Sequence, residues 1–554
     1  MLKKCFGALA IAALISAPAA AQDARTVLAA ASKGMGMDNL TSITIYGSGA
    51  NYNLGQSNNA NDAWPRNNLS DYQRSIDFAT STSRATAVTF AAPVTGGSAV
   101  QGPFQQNVTA NTQGWAQQLE IWTTPWGCLK GAQANNATAG SSAGMKTLTW
   151  MTTQKAPSGV SYKVICYVSP QNLVTRVDTW LENPIFGDML VESNYSNYRE
   201  SLGGVMYPAT MVQKRGGWPV FEAQILGATM NPANITALVT PPPAPAGRGG
   251  GPGGPGAAPP AATSTKLADG VYRIGGGYIA LAIEMKDHIV LFEGGPQNEA
   301  RSLAIIAEAK KVIPNKPIRY SILTHHHFDH SSGLSGVVSE GITIITQENN
   351  KAFLTRALTT PRTLAPDAMS KSGKKPVIET VGEKRVLTDG SRTIELYHVR
   401  GLPHVEGMLV AYLPKEKILA YADMFNAPPA DTPVPNPPVI GTQVFVANVV
   451  AGPVVTWSAV PSCTNLASSS FRPWRAEPAS IFPVHPWTKM PPPGMTLSGS
   501  NCAESAAPTM TVRTAAQARR RISWSFRAIS GSQPSSSCDP GSARARTPQC
   551  QNQA

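Results

Sequence analysis

The run Pro241 to Ala262, PPPAPAGRGGGPGGPGAAPPAA, constrains this chain more than any other feature. Proline removes backbone donors and glycine multiplies the conformations that folding must freeze, so such a tract builds no apolar core and acts as a linker. It divides the 554 residues into two regions that must each find a core of their own. The material for two cores is present: 42% hydrophobic and 14% charged residues make the chain too apolar for an unfolded polymer. The expected organisation is a domain over 22–240, a linker over 241–265, a second domain over 266–490 and an irregular or disordered basic tail over 491–554.

Residues 1–21 read as a signal peptide. Lys3 and Lys4 form a basic start, Phe6 to Ile15 an apolar run, and Ala19-Ala20-Ala21 a small-residue cleavage site. The mature protein is therefore expected in the periplasm or outside the cell. The apolar run is too short to span a bilayer, and no later stretch approaches the length of about 20 residues that spanning needs. In the first region Cys128 and Cys166 are compatible with a disulfide or with two separate buried thiols. No C-x-x-C pair exists, which excludes a zinc ribbon or a thioredoxin-type site. The net charge is 46 − 33 = +13. Ten Lys/Arg against three Asp/Glu after residue 450 account for +7, and Lys3 and Lys4 for +2, leaving about +4 for the body. That is no electrostatic funnel for a nucleic acid, and none is expected as a partner.

The first region opens with a helical stretch, Ala24 to Ala31, and then reads as strands. Ser42 to Tyr46, Gln118 to Trp122 and Ser161 to Ile165 alternate apolar and polar residues, with turn signals such as Pro157-Ser158-Gly159 between runs. Leu173–Trp180, Met189–Tyr195, Met211–Arg215 and Val220–Leu226 continue the pattern. The expectation is an antiparallel sheet with one half-buried face. Its arrangement resembles the half-barrel folds of the bacterial lipoprotein-carrier type. It contains no histidine and no cluster of chemistry-bearing residues, so a structural companion is favoured over a ligand-holding or partner-docking module.

The second region changes character. Val271 to Ile274, Ile279 to Ile283 and His288 to Phe292 read as strands, and Asn298 to Ile313 as a helix with Leu303, Ile306, Ala307 and Ile313 on one face. A further strand, Ile318 to Leu323, delivers the chain to Thr324-His325-His326-His327-Phe328-Asp329-His330. The whole chain holds eight histidines, and four of them fall within these six positions from 325 to 330. Alternate residues leaving a strand share a face, which aims His325 and His327 to one side; Asp329 and His330 then turn to a second position. Imidazoles and a carboxylate at this spacing suit zinc or a similar divalent ion.

His325-x-His327-x-Asp329-His330 resembles the H-x-H-x-D-H signature of the metallo-β-lactamase superfamily of hydrolases. Pro403-His404-Val405-Glu406-Gly407 is similar to the family's next histidine motif, Asp423 after Ile418 to Ala422 to its acidic residue, and His485 in Phe482-Pro483-Val484-His485-Pro486 to its last histidine. The resemblance implies an α/β fold, the αββα metallo-β-lactamase sandwich, preceded by the separate mainly antiparallel β domain. It implies two zinc ions per chain: His325, His327 and His404 on the first, Asp329, His330 and His485 on the second, Asp423 bridging, and a metal-activated water as nucleophile. Asp329 would also orient that nucleophile as a catalytic residue. His326 and His398 are not expected ligands. The family usually carries Asp where Phe292-Glu293-Gly294-Gly295 has Glu293, which puts the orientation of one ligand in question. From about Ala451 the periodicity is lost, consistent with a disordered tail or a changed reading frame, and the closing helix and strand of the domain are hard to place.

Asp423 stands where β-lactam-opening members typically carry Cys or Ser, so the resemblance favours an exported hydrolase of a small lactone, ester or amide. A β-lactamase proper and a non-catalytic metal-containing binding protein are the alternatives. The partner expected is a small-molecule substrate; the oligomeric state is left open.

Overall fold

In the computed structural model, the described residues are 23–91, 96–97, 103–109, 114–243, 261–424 and 444. The signal-peptide segment, most of the Pro/Gly tract, His485 and the tail lie outside them. Among the described residues no helix is long and apolar enough to cross a membrane.

The first region begins with helix α1 (23–34) and then builds one eleven-stranded antiparallel sheet. Its strands are β1 (Ser42–Tyr52), β2 (Arg66–Asp77), β3 (Thr82–Ala91), β4 (Phe104–Val108), β5 (Thr138–Ser142), β6 (Met145–Lys155), β7 (Ser161–Val168), β8 (Val174–Asn183), β9 (Gly187–Glu200), β10 (Met206–Arg215) and β11 (Trp218–Met230). The order is β4-β3-β2-β1-β11-β10-β9-β8-β7-β6-β5, so chain-adjacent strands are neighbours except β4 and β5, which form the two edges, and β11 returns to pair with β1. β9 shows the rule that sets the register. Buried and half-buried positions alternate from Gly187 to Tyr195, which fixes one face against the core.

Between β4 and β5 lie helices α2 (Trp115–Trp122) and α3 (Pro125–Ala134). The strand expected over Gln118 to Trp122 is thus a helix. The alternation of residue types there is not an alternation of burial: Gln118, Leu119, Glu120 and Ile121 are all buried in succession. Glu120 is buried because its carboxylate meets Arg74 at 3.3 Å and Arg215 at 3.1 Å, and a short element buried on every side has no readable period. Thr124 caps α3 by accepting from the Gly127 N–H, with Pro125 at the first helical position. Cys128 on α3 and Cys166 on β7 form a disulfide with Cα atoms 6.1 Å apart, which ties the helix to the sheet. A short helix, α4 (Ile235–Val239), ends the domain.

The second domain stacks two sheets. The larger runs β12 (Thr263–Ala268), β13 (Val271–Gly275), β14 (Ala280–Glu284), β15 (Ile289–Phe292), β16 (Ile318–Ile322), β17 (Thr343–Gln347) and β18 (Ile378–Val381), in that spatial order. The last three positions of the expected linker, 263–265, belong to β12 and pair with β13. The smaller sheet runs β19 (Lys384–Thr388), β20 (Thr393–Val399), β21 (Met408–Leu413) and β22 (Ile418–Ala420). Strands buried on both faces read as unbroken apolar runs. In β15, Val290 and Phe292 pack toward Ile394, Leu396, Leu409 and Ala411 of the smaller sheet, while Ile289 and Leu291 pack toward the helices.

Those helices are α5 (Glu299–Val312), α6 (Phe328–Ser331), α7 (Leu334–Ser339), α8 (Glu348–Thr359) and α9 (Ala368–Ser372), carried by the connections between the parallel strands β15 to β18. Asn298 caps α5 by accepting from the Arg301 N–H. The buried stripe of α5 is Ser302, Ile305, Ile306 and Ala309, with Ile313 at its end, whereas the expected Ala307 is exposed. A serine belongs to the buried face because its hydroxyl donates to the Gly294 carbonyl at 2.8 Å. One helix layer and two sheets of the αββα sandwich thus lie among the described residues. The closing helix that the resemblance implies falls outside them.

The two domains meet through aromatic rings. Phe186 of the first domain packs edge-on against Phe328 and Phe353 of the second, each 5.7 Å away between centroids, and Trp64 against Phe328 at 6.3 Å. Beside them the Asp188 carboxylate accepts from the N–H groups of Thr363 and Leu364, and Arg362 donates to the carbonyls of Pro184 and Ile185.

Candidate metal centre

Every side chain of the centre sits just beyond the carboxyl end of a strand in one of the two sheets. His325, His327, Asp329 and His330 follow β16, Glu293 follows β15, His404 lies between β20 and β21, and Asp423 follows β22. The open edge of a stacked α/β sheet, where carbonyl ends and loops converge, is where such folds place ligands.

Three imidazoles converge first. Ring centroids of His325 and His327 lie 4.5 Å apart, of His327 and His404 4.6 Å, and of His325 and His404 5.4 Å. His325 Nε2, His327 Nδ1 and His404 Nε2 are buried and have no hydrogen-bond partner among the described residues. Leaving three such nitrogens empty costs free energy unless a cation accepts their lone pairs. On two of the rings the other nitrogen is tied: His325 Nδ1 to Thr324 Oγ1 at 2.9 Å, and His327 Nε2 to the Ser57 carbonyl at 2.9 Å. A carbonyl only accepts, so His327 carries its proton on Nε2 and presents a bare Nδ1. Burial pushes both His325 and His327 well below the ordinary imidazole range, which keeps them neutral and ready to ligate.

Asp423 joins this group to a second one. A single oxygen, Oδ2, lies 3.6 Å from His325 Nε2, 3.3 Å from His404 Nε2 and 2.8 Å from His330 Nε2. His325, His327, His404 and Asp423 form one set of converging donors, and Asp329, His330 and Asp423 another. Burial would raise the Asp423 carboxyl, but the histidines around it, His330 foremost, hold it far below the usual range. Burial likewise opposes ionisation of Asp329, and His330 overrides it. His330 itself is pushed down by burial and pulled well up by Asp423 and Glu293. The carboxylates of Asp329, Asp423 and Glu293 crowd around the one His330 ring, an arrangement short of positive charge, and with the empty imidazole nitrogens the two donor sets fit divalent metal.

Glu293 answers the departure noted in the sequence. Oε2 accepts from His330 Nδ1 at 2.6 Å, and Oε1 from the Thr324 N–H at 2.8 Å. The longer carboxylate therefore orients a ligand histidine and anchors the strand end that carries the motif. Glu293 and Asp423 both adopt left-handed backbone, with φ of 59° and 53°. Non-glycine residues hold that conformation at a cost of about 1–3 kcal/mol and do so mostly at functional sites.

Sequence reasoning missed four contributors. Tyr278, between β13 and β14, donates its hydroxyl to Asp329 Oδ2 at 2.8 Å, and its own loop is held by the fully buried Arg301, which donates to the carbonyls of Gly275 and Tyr278. The other three come from the first domain. Gln56 Nε2 donates to Asp329 Oδ1 at 2.9 Å, the Ser57 carbonyl holds His327, and Gly97 lies against the rings of His327 and His404. None of these carries a local signal, since their meaning depends on pairing across 51 residues for Tyr278 and across more than 200 for the other three. His326 makes a 3.0 Å hydrogen bond with Ser57 Oγ, and His398 one of 2.8 Å with the Glu406 carbonyl, so neither joins the donor sets. His485 lies outside the described residues.

The second domain thus carries, at one edge of its two sheets, His/Asp donor sets that could hold metal. Residues 280–445 match the profile of the metallo-beta-lactamase superfamily, and the second domain belongs to that superfamily of hydrolases. Solved structures with a similar fold include the metallo-beta-lactamase from Pontibacter korlensis: 19% identity over 31% of this chain and 75% of that one, TM-score 0.25. The rubredoxin oxygen:oxidoreductase from Desulfovibrio gigas shares 22% identity over 30% of this chain and 42% of that one, TM-score 0.23. A metallo beta lactamase from Hirschia baltica shares 22% identity over 30% and 72% respectively, TM-score 0.23. No curated protein matches the chain.

Proposed function

We propose that the chain is an exported zinc hydrolase with two metal ions, acting on a small lactone, ester or amide. The observation that carries this reading is the position of Asp423 Oδ2, within 3.6 Å of imidazole nitrogens from both donor sets. His325, His327 and His404 would hold one ion, Asp329 and His330 the other with His485, and Asp423 would lie between. Two divalent ions would supply a water of lowered pKa and a Lewis acid for the electrophile's oxygen. The chain's own part is positioning. Glu293 fixes the ring of His330, the Ser57 carbonyl fixes the tautomer of His327, and Tyr278 together with Gln56 leaves the Asp329 carboxylate one orientation. The donors divide into two adjoining sets that share the Asp423 carboxylate, whereas a structural zinc is normally held by one isolated set of four, which supports an enzyme over a binding protein. The Cys128–Cys166 disulfide supports an oxidising compartment and so export.

The test is turnover by the zinc-reconstituted chain, with His327→Ala alongside, on a lactone, a simple ester, a thioester, a phosphodiester and a chromogenic cephalosporin. Hydrolysis of the lactone or ester that vanishes in the variant is the expected result. Preferential opening of the cephalosporin would make it a β-lactamase, and silence across the panel with zinc bound would sink the enzyme.

A further inference from the structure

We infer that the loop joining β1 and β2 of the first domain, residues 53–65, is a working part of the metal centre in the second, with Gln56 as a positioning residue for Asp329. The inference rests on the proposed metal-dependent function and goes beyond it, because among the described residues neither donor set includes a residue of the first domain. The loop is pinned to the second domain on both sides of Gln56. The Gly55 carbonyl accepts from the Phe328 N–H, and Gly55 faces the Phe328 ring so closely that a Cβ would lie 2.2 Å from its Cγ. Asn58 donates to the Pro403 carbonyl at 2.8 Å and accepts from the Glu406 N–H at 2.8 Å, and the Asn59 amide reaches Glu406 Oε2 at 2.6 Å. The two motifs that carry the histidines, around Phe328 and around His404, are thus clamped by one loop from another domain.

At the centre of that clamp the loop offers two polar groups, each to a different donor set. The Ser57 carbonyl takes the Nε2 proton of His327, so the bare Nδ1 faces the first set. The Gln56 amide takes one Asp329 oxygen while Tyr278 takes the other, so the carboxylate of the second set cannot rotate. A carboxylate only accepts, which fixes the direction of both bonds. The loop also carries Gly97 of the first domain over the rings, since the Gly97 N–H donates to the Gln56 carbonyl. On this inference the first domain is the wall and outer support of the centre, where the sequence favoured a structural companion.

The experiment is a Co2+ titration of the metal-free full chain, followed by visible absorption and by competition with a chelator, for wild type, Gln56→Leu and Asp188→Ala. Thermal unfolding of each metal-free protein is measured in parallel. Gln56→Leu keeps the volume and loses the donor; it is expected to weaken the second Co2+ by about ten- to a hundredfold and to alter its absorption bands, with the metal-free Tm unchanged. Asp188→Ala removes an interdomain contact outside the loop, the carboxylate that accepts from the Thr363 and Leu364 N–H groups, and its Co2+ affinity should stay within about twofold of wild type. Wild-type affinity and spectrum in Gln56→Leu would overturn the inference while leaving the metal enzyme standing, as would equal losses in both variants. A wild-type chain that binds no Co2+ would overturn both.

Discussion

His327 donates its Nε2 proton to the carbonyl of Ser57, 2.9 Å away in space and 270 residues away in sequence. The bond settles which nitrogen of a buried imidazole is free, and it makes the geometry of a metal centre depend on a loop from another domain. Neither residue announces the relationship alone, because a backbone carbonyl has no residue type.

Gly97 tests how tight that arrangement is. A Cβ added there would lie 2.7 Å from His327 Cε1, 2.8 Å from His404 Cε1 and 2.2 Å from Gln56 Oε1. The His327 ring, held by its bond to the Ser57 carbonyl, has little room to retreat. Gly97→Ala should lower zinc affinity by about ten- to a hundredfold, the range seen when groups supporting a ligand are disturbed. Chelator competition reads it; unchanged affinity would show that the two rings are free to shift.

Glu293→Gln separates charge from shape. The amide oxygen can still accept from the Thr324 N–H, but the charge-assisted bond from His330 Nδ1 is lost. A roughly tenfold or greater loss of second-site metal is expected, with near-native circular dichroism. Retention of wild-type affinity would mean that His330 is oriented by packing alone.

Much of this centre was legible, and the reason is local. The ligands of β16 fall within six residues of one strand end, and His404 and Asp423 each follow a strand with an apolar signature. Strands in both domains were legible where residue type and burial alternate together, as along β9. The helix α2 was not, because Gln118 and Glu120 are as buried as Leu119 and Ile121, with an ion pair to Arg74 and Arg215 repaying the burial of Glu120. The buried face of α5 was misplaced for a related reason: Ser302 faces the core through its bond to Gly294, where hydropathy alone puts Ala307. Gln56, Ser57 and Gly97 were invisible because their roles exist only in the docked pair of domains.

Protonation gives a prediction of definite sign for the metal-free chain. Burial lowers His325 and His327 well below 6.5 and His326 to about 4. The unfolded chain therefore binds more protons than the folded one below about pH 6.5, and stability falls as pH falls. His330 is raised instead, so its contribution is complete below about pH 6.5 and adds no slope there; the depressed Asp329 and Asp423 lose theirs only in stronger acid. Between pH 6.5 and 5 the three lowered histidines dominate, each costing up to about 1.4 kcal/mol per pH unit. Urea unfolding of the chelator-treated protein should show its midpoint dropping across that window. A flat or rising midpoint would contradict the burial argument.

The aromatic contact between domains makes the last prediction. Phe186 is 4% exposed, and its ring is enclosed by Phe328, which lies inside the histidine motif, and by Phe353 of α8. Removing such a ring costs about 3–5 kcal/mol through lost burial and the cavity left behind. Since the ring belongs to one domain and its cavity to the other, the loss should register on both. Calorimetry of the wild-type chain should show the two domains unfolding in one transition, and Phe186→Ala should lower that transition as a whole. Two separate transitions, with only the first-domain one shifted by the variant, would show that the interface does not couple them. In that case the metal centre would draw its stability from the second domain alone, and Phe186→Ala would leave zinc affinity untouched.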